Sequence, residues 1–321
     1  MRDLDRQPLI SIIVPVFNEE QSLAPFIETI TRVLERDHAD FEFLFVDDGS
    51  TDNTLPNLLE YSRQDAHIKV IGLSRNFGKD AALSAGIDLA LGDVLIPIDV
   101  DLQDPPELIV QFLDYWRQGY DMVYGLRSGR DADSIGKRLS ARWFYKVFNH
   151  FSAVKLPENV GDFRLFDRKV AEVIRQLPER NRFMKGIFAW VGFKSIGVPY
   201  SRPERARGNT KWSLWKLWNF ALDGMVGFST LPLRVWTYLG SIVSLLAFTY
   251  GMFIIGKTLV LGRDMPGYAS LMTAILFLGG IQLMSIGIIG EYVGRLMIES
   301  KQRPIYVIDR VYQSGQAVGP G

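Results

Sequence analysis

The chain has no cysteine among its 321 residues and only three histidines, His38, His67 and His150, which lie far apart without ligand spacing. Disulfide scaffolds, thiolate chemistry and ordinary zinc motifs are therefore excluded, and carboxylates, lysines and arginines must carry any chemistry. An excess of charge is also missing, because 36 basic residues balance 36 acidic ones. Nothing global points to nucleic acid, so any anion-binding surface must be local. Met1–Arg6 mixes both signs, and the apolar run that follows is short and broken by Pro15, a pattern unlike a signal peptide.

From Leu9 to Gly125 short apolar runs alternate with helix-like stretches. This alternation predicts an α/β domain with a mainly parallel sheet flanked by helices. Strands are expected at Leu9–Val16, Phe41–Asp47, Ile68–Leu73, Val94–Asp99 and Met122–Tyr124, where runs rich in Val, Ile, Leu and Phe suit burial on both faces. Helices are expected near Glu20–Arg36, Thr51–Arg63, Lys79–Leu91 and Pro105–Gln118. Asp104, the two prolines and Glu107 read as a capping box that opens the last of these. After Gly125 the spacing is irregular and basic through Arg142; helices and a strand-like Phe193–Tyr200 follow, and Ser201–Thr210 reads as a loop.

No charge occurs between Arg234 and Lys257 or between Asp264 and Glu291. Each gap exceeds the ~20 residues that span a bilayer core, which predicts a transmembrane hairpin. The chain thus divides into an α/β domain at 1–210, an interfacial stretch at 211–230, two spans near 233–256 and 268–290 within 231–293, and a tail at 294–321. Arg205, Arg207, Lys211, Lys216 and Arg234 precede the first span, and Arg295, Lys301 and Arg303 follow the second. Only Lys257 and Arg263 lie between, so the positive-inside rule puts the domain and both termini in the cytoplasm. Trp212, Trp215 and Trp218 recur every three residues beside Lys211 and Lys216, a face suited either to the headgroup layer or to packing on the soluble domain.

The strongest local chemical signal is Asp99-Val100-Asp101-Leu102-Gln103, directly after an apolar strand. Two carboxylates two residues apart converge on one hard cation if the chain bends there, at the strand end where open α/β sheets bind ligands. Mg2+ or Mn2+ fits, with diphosphate oxygens completing the shell. The first strand ends in Val14-Pro15-Val16-Phe17-Asn18-Glu19 and the second in Asp47-Asp48-Gly49-Ser50-Thr51-Asp52. On one rim, Glu19 can reach a ribose hydroxyl and Asp47 or Asp48 a base edge. The Asp48-Gly49-Ser50-Thr51 stretch equally suits a turn and helix cap. Gly72…Gly78-Lys79 is no P-loop, since the glycine spacing is wrong and Asp80 stands where Ser or Thr is required.

Together these motifs, with Asp104-Pro105-Pro106-Glu107, resemble family 2 glycosyltransferases of the GT-A fold. Within that family the chain resembles the polyprenyl-phosphate glycosyltransferases, which include dolichyl-phosphate mannose synthases and, with two C-terminal spans, bacterial undecaprenyl-phosphate glucosyltransferases. The resemblance extends over nearly the whole chain, including Arg303-Pro304-Ile305-Tyr306. It implies nucleotide-sugar contacts from Pro15, Glu19, Asp47, Asp48, Lys79, Asp99 and Gln103, and metal contacts from Asp99, Asp101 and Gln103. On the acceptor side it implies lipid-phosphate contacts from Arg127, Arg138, Arg142, Arg164, Arg205 and Lys211, and a catalytic or orienting role for Asp162 beside Asp101. A phosphate monoester carries nearly two charges near neutrality and calls for such fork-like cations.

The implied activity is inverting, metal-dependent transfer of a hexose, glucose from UDP-glucose first, to a polyprenyl phosphate at the cytoplasmic face of a bacterial inner membrane. GDP-mannose or another UDP-sugar is the alternative donor. A processive polysaccharide synthase would add a Gln-x-x-Arg-Trp segment and more spans, and an inactive membrane module is the non-enzymatic alternative. The sequence leaves room for a homo-oligomer.

Overall fold

The first apolar run becomes β1 (Leu9–Val16), the central strand of the sheet, with β2 (Asp40–Asp47) and β4 (Val94–Pro97) parallel to it on either side. The computed structural model describes residues 7–127, 155, 160–180, 182–201, 231–261 and 267–319. Nine strands form one sheet in the order β7-β5-β6-β4-β1-β2-β3-β8-β9. Its parallel centre is completed by β3 (Ile68–Leu73), joined through helices α1 (Leu23–Arg36), α2 (Thr54–Gln64) and α3 (Lys79–Leu89). Beyond β4 lie β6 (Val160–Asp167), β5 (Met122–Arg127) and β7 (Ser195–Tyr200), with β6 antiparallel to both β4 and β5.

Alternation along the strands builds two apolar layers. Ile10, Ile12, Val14, Phe43 and Phe45 face Phe26 and Ile30 of α1, Leu58 of α2 and Phe112 of α4 (Leu108–Arg117). Ile13, Leu44, Val46 and Ile71 face Ala82 and Ala85 of α3, Val170 and Ile174 of α5 (Arg168–Gln176), and Ile187 of α6 (Met184–Trp190). Both faces are covered, which is why the parallel strands read as continuous apolar runs.

Three expectations are revised. The Val160–Asp167 segment, expected to lie among helices, is β6: Asp162, Phe163, Arg164 and Leu165 alternate with a strand's period, but over too few residues to stand out beyond the irregular basic stretch before them. Asp104 does not cap α4. Pro106 disfavours helical backbone at Pro105, so the chain makes a turn, with Leu108 N–H donating to the Pro105 carbonyl, and the helix opens only at Leu108. Asp104 is instead buried and accepts the Tyr200 hydroxyl at 2.5 Å. The segment expected as a tail after residue 294 continues as helix to Ser300 and then returns to the sheet as β8 (Ile308–Gln313), antiparallel to β3, followed by β9 (Gln316–Ala317).

Helices α7 (Leu231–Leu261) and α8 (Tyr268–Ser300) contain Val235–Ile254 and Phe277–Ser300, each long and apolar enough to cross a membrane. Leu245, Phe248 and Leu283 remain about two-thirds exposed, apolar surface of a kind that water does not tolerate in long stretches.

The core leaves no room for a side chain under α3, where a Cβ on Gly86 would stand 2.3 Å from Ile13 Cγ2. Helix propensity alone favours Gly86→Ala by about 1 kcal/mol. Overpacking should reverse that sign and lower stability by about 1–3 kcal/mol in unfolding measurements. A more stable variant would contradict this packing.

Candidate active site

Because β1, β2, β3 and β4 run parallel, their carboxyl ends meet on one rim, and side-chain hydrogen bonds lock the loops leaving it. Asn18 adopts a left-handed φ of 55°; its N–H donates to Ser50 Oγ at 3.0 Å and its Oδ1 accepts from Thr51 N–H at 2.8 Å. Glu19 N–H donates to Thr54 Oγ1, and its carboxylate accepts the Ser22 hydroxyl at 2.8 Å. Asp47 is buried against Ser50 N–H, and burial pushes its carboxyl pKa up. Burial also raises that of Asp48, although its two oxygens accept Phe77 N–H at 2.7 Å and Gly78 N–H at 2.9 Å. Gly49 between these loops has φ +72°, and a Cβ there would lie 2.7 Å from the Arg75 carbonyl carbon. Asp48 and Gly49 thus hold the Arg75–Gly78 loop in place and, with it, the start of α3.

Lys79 is the first residue of that helix. Its ammonium lies 2.6 Å from Asp99 Oδ1, just after β4, and 2.7 Å from Asp162 Oδ2 on β6. Burial would lower the Lys79 pKa, but the two carboxylates raise it well above the ordinary lysine range. Burial would likewise raise Asp162; Lys79 and Lys185 overcome it and hold the carboxyl far below the usual range. Asp99 is raised by burial, with Lys79 opposing and the charges of Asp162 and Asp101 adding to it. Leu102, just after the aspartate pair, has φ +53°, and Gln103 N–H donates back to Asp101 Oδ1 at 3.1 Å, so the chain turns where the pair ends. Among the described residues no third carboxylate or histidine completes a metal cage. Two hard-oxygen carboxylates with an amide beside them fit a cation that takes its other ligands from a diphosphate.

Arg127 reaches this region from β5, donating from Nε to Tyr200 Oη at 3.1 Å, with Nη2 3.6 Å from Asp104. Gly161 leaves room for it, since a Cβ there would meet Arg127 Nη2 at 2.8 Å. Burial and the hydrogen bond to Asp104 push the Tyr200 pKa up to about 12. Arg164 is 4% exposed; it donates to the Gly161 and Asp162 carbonyls, lies over the Phe188 ring, and has its pKa brought down to about 10 by burial. It is a buried neighbour of Asp162 here, not an open cation. Pro15 stays within β1, paired with Val46. Arg138, Arg142, Arg205 and Lys211 lie outside the described residues.

Two charged residues went unnoticed in the sequence. Lys185, on α6, has its pKa lowered by burial, while Asp162 opposes that effect. Asp80, beside Lys79, rises from 3.8 to about 6 through burial and the charge of Asp162, and accepts the Met184 N–H. Neither belongs to a recognisable spacing; only the packing of α3 against α6 brings them to Asp162.

Residues 11–175 match the model of glycosyl transferase family 2, and residues 231–296 match the GtrB C-terminal hairpin. The chain is 54% identical over 303 residues to an uncharacterised glycosyltransferase of Synechocystis, covering 94% of this chain and 95% of that protein. It is 50% identical to the prophage bactoprenol glucosyl transferase homolog of Escherichia coli, covering 94% and 99%. Identity to the bactoprenol glucosyl transferase of Shigella phage SfV is also 50%, covering 93% and 97%.

Asp80 binds its proton more tightly in the folded chain than in the unfolded one. Its contribution to stability is therefore fully present below pH 3.8 and lost as pH rises through about 6. Asp80→Asn should flatten the dependence of melting temperature on pH between those limits; a slope equal to that of the parent chain would contradict the assignment. Asp48→Asn turns one acceptor toward its loop into a donor, leaving Phe77 or Gly78 N–H unsatisfied. It should cost about 1–3 kcal/mol of stability and weaken nucleotide-sugar binding, read by unfolding and by calorimetric titration.

Proposed function

This chain belongs to glycosyl transferase family 2 and is a glycosyltransferase, and we propose that it moves glucose from UDP-glucose to a polyprenyl phosphate at the cytoplasmic face of a membrane. The observation that carries the reading is the Lys79 ammonium held between Asp99, on the donor side, and Asp162, on the side where the cations gather. The GtrB hairpin and the names of the relatives point to a lipid acceptor.

Pro15, Glu19, Asp47 and Asp48 line or support the nucleotide end of the rim in this reading, with Asp48 acting through the loop it holds. Asp99 and Asp101, with Gln103 beside them, would hold a Mg2+ or Mn2+ ion, whose charge when bound offsets the charge developing on the leaving diphosphate. Arg127 and Lys185 face the acceptor phosphate in this reading and Arg164 supports Asp162 from beneath; Arg138, Arg142, Arg205 and Lys211, outside the described residues, keep the phosphate-binding role that the resemblance implies.

A carboxyl held as low as that of Asp162 is a weak base at neutral pH. The acceptor needs little help, since a phosphate monoester with a second pKa near 6 is already anionic. Asp162 therefore orients Lys79 and the acceptor. The phosphate oxygen attacks the anomeric carbon as the bond to the diphosphate breaks, inverting the configuration, and positioning supplies much of the rate.

The test is turnover of UDP-glucose, other UDP-sugars and GDP-mannose by the purified protein in lipid nanodiscs containing undecaprenyl phosphate. One glucose per lipid from UDP-glucose is expected. A polymer would indicate a synthase, preference for another donor would overturn the sugar assignment, and no transfer would indicate an inactive module. Chelation should abolish turnover and Mg2+ or Mn2+ restore it. Asp101→Ala should lower kcat by about 100-fold or more at saturating metal, and undiminished turnover would contradict the donor site.

A further inference from the structure

The chain leaving the membrane helix α8 does not trail away but grips the catalytic domain at several separate places. With 33 residues α8 is about 50 Å long, against a hydrocarbon core of about 30 Å. The apolar window Phe277–Ser300 takes in the final turns, and its charges, Glu291, Arg295 and Glu299, all lie there, so this end of the helix is the one that meets the domain. There both oxygens of Glu299 accept the backbone N–H of Arg180, at 2.9 and 3.0 Å, in the connection between α5 and α6. Six residues after the helix ends, the Tyr306 hydroxyl donates to Asp88 Oδ2 at 2.6 Å, at the far end of α3. Burial and that bond raise the tyrosine's pKa well above its ordinary 10. Ser74 N–H then donates to the Val307 carbonyl, and β8 pairs along β3 from Ile308 to Gln313.

The linker between the Glu299 and Tyr306 contacts is too short to act as a hinge of wide swing. A domain held at the α5–α6 connection, at α3 and along β3 cannot tilt freely about α8. The two contacts lie away from the sugar end of the rim and touch none of Asp99, Asp101 or Asp162.

We propose that Glu299 and Tyr306 are positioning residues that set the height and tilt of the catalytic rim above the membrane, so that a phosphate held at the headgroup level can reach it. The proposal rests on the lipid-phosphate acceptor assigned above. It gives the C-terminal segment a part in turnover of a membrane-held acceptor and none in chemistry at the sugar. Removing the Glu299 carboxylate frees the Arg180 N–H, and removing the Tyr306 hydroxyl frees Asp88, so the domain gains a range of tilts.

The test is the double variant Glu299→Ala/Tyr306→Phe, assayed with two acceptors. With undecaprenyl phosphate in nanodiscs kcat/KM should fall by about 10-fold or more, while with a short-chain, water-soluble prenyl phosphate it should stay within about two-fold of the parent. Equal losses with both acceptors, or loss with neither, would overturn the proposal. A parent protein that uses neither acceptor would instead overturn the assigned function, and a second readout then decides on the strap. Because the chain has no cysteine, spin labels attached through Arg32→Cys on α1 and Leu283→Cys on α8 report one distance. That distance should be narrowly distributed in the otherwise unchanged chain and broad in the double variant. Equal widths would overturn the proposal whatever the activity.

Discussion

The candidate site depends on one ammonium group. Lys79 Nζ lies between Asp99 and Asp162, which arrive from β4 and β6, neighbours in the sheet that run in opposite directions. Two carboxylates brought this close raise each other's proton affinity, and a cation between them removes the conflict. The rest of the rim fixes where that cation stands. Asp48 holds Phe77 and Gly78, Gly49 lets the two loops approach, and the small residues Ala82, Ala85 and Gly86 let α3 press onto β1 and β2. Stability and chemistry meet here, since the loop contacts that order the rim also aim the lysine.

Much of this could be read from the sequence because the physics was local. Continuous apolar runs mark strands buried on both faces, so β1 to β4 stood out, and the polar clusters at their ends fall on one rim once the strands are parallel. The aspartate pair was marked by its place directly after β4, and the chain turns just beyond it at Leu102. The two long gaps in charge were equally plain, and two helices of suitable length and apolarity occupy them.

What escaped was set by contacts between distant segments. The alternation in β6 is too short to stand out after an irregular basic stretch, although its Asp162 is the charge Lys79 and Lys185 require. Asp104 followed by two prolines and a glutamate imitates a helix start, yet its carboxylate is taken by Tyr200, 96 residues away. The short strand β8 carries too weak a pattern to be recognised alone and is defined by the exposed edge of β3 that it covers. It also brings the end of the second long helix back to the domain.

The central claim is that Lys79 and Asp162 act as one unit joining the two halves of the site, and a double-mutant cycle measures this directly. Lys79→Met, Asp162→Asn and the double variant would be compared by kcat/KM for glucosyl transfer. If the pair is a unit, the second substitution costs little once the first is made, and the single effects exceed additivity by a coupling of about 1.4 kcal/mol or more, at least tenfold in rate. Effects that simply add would show that the two residues serve independently and would contradict the account.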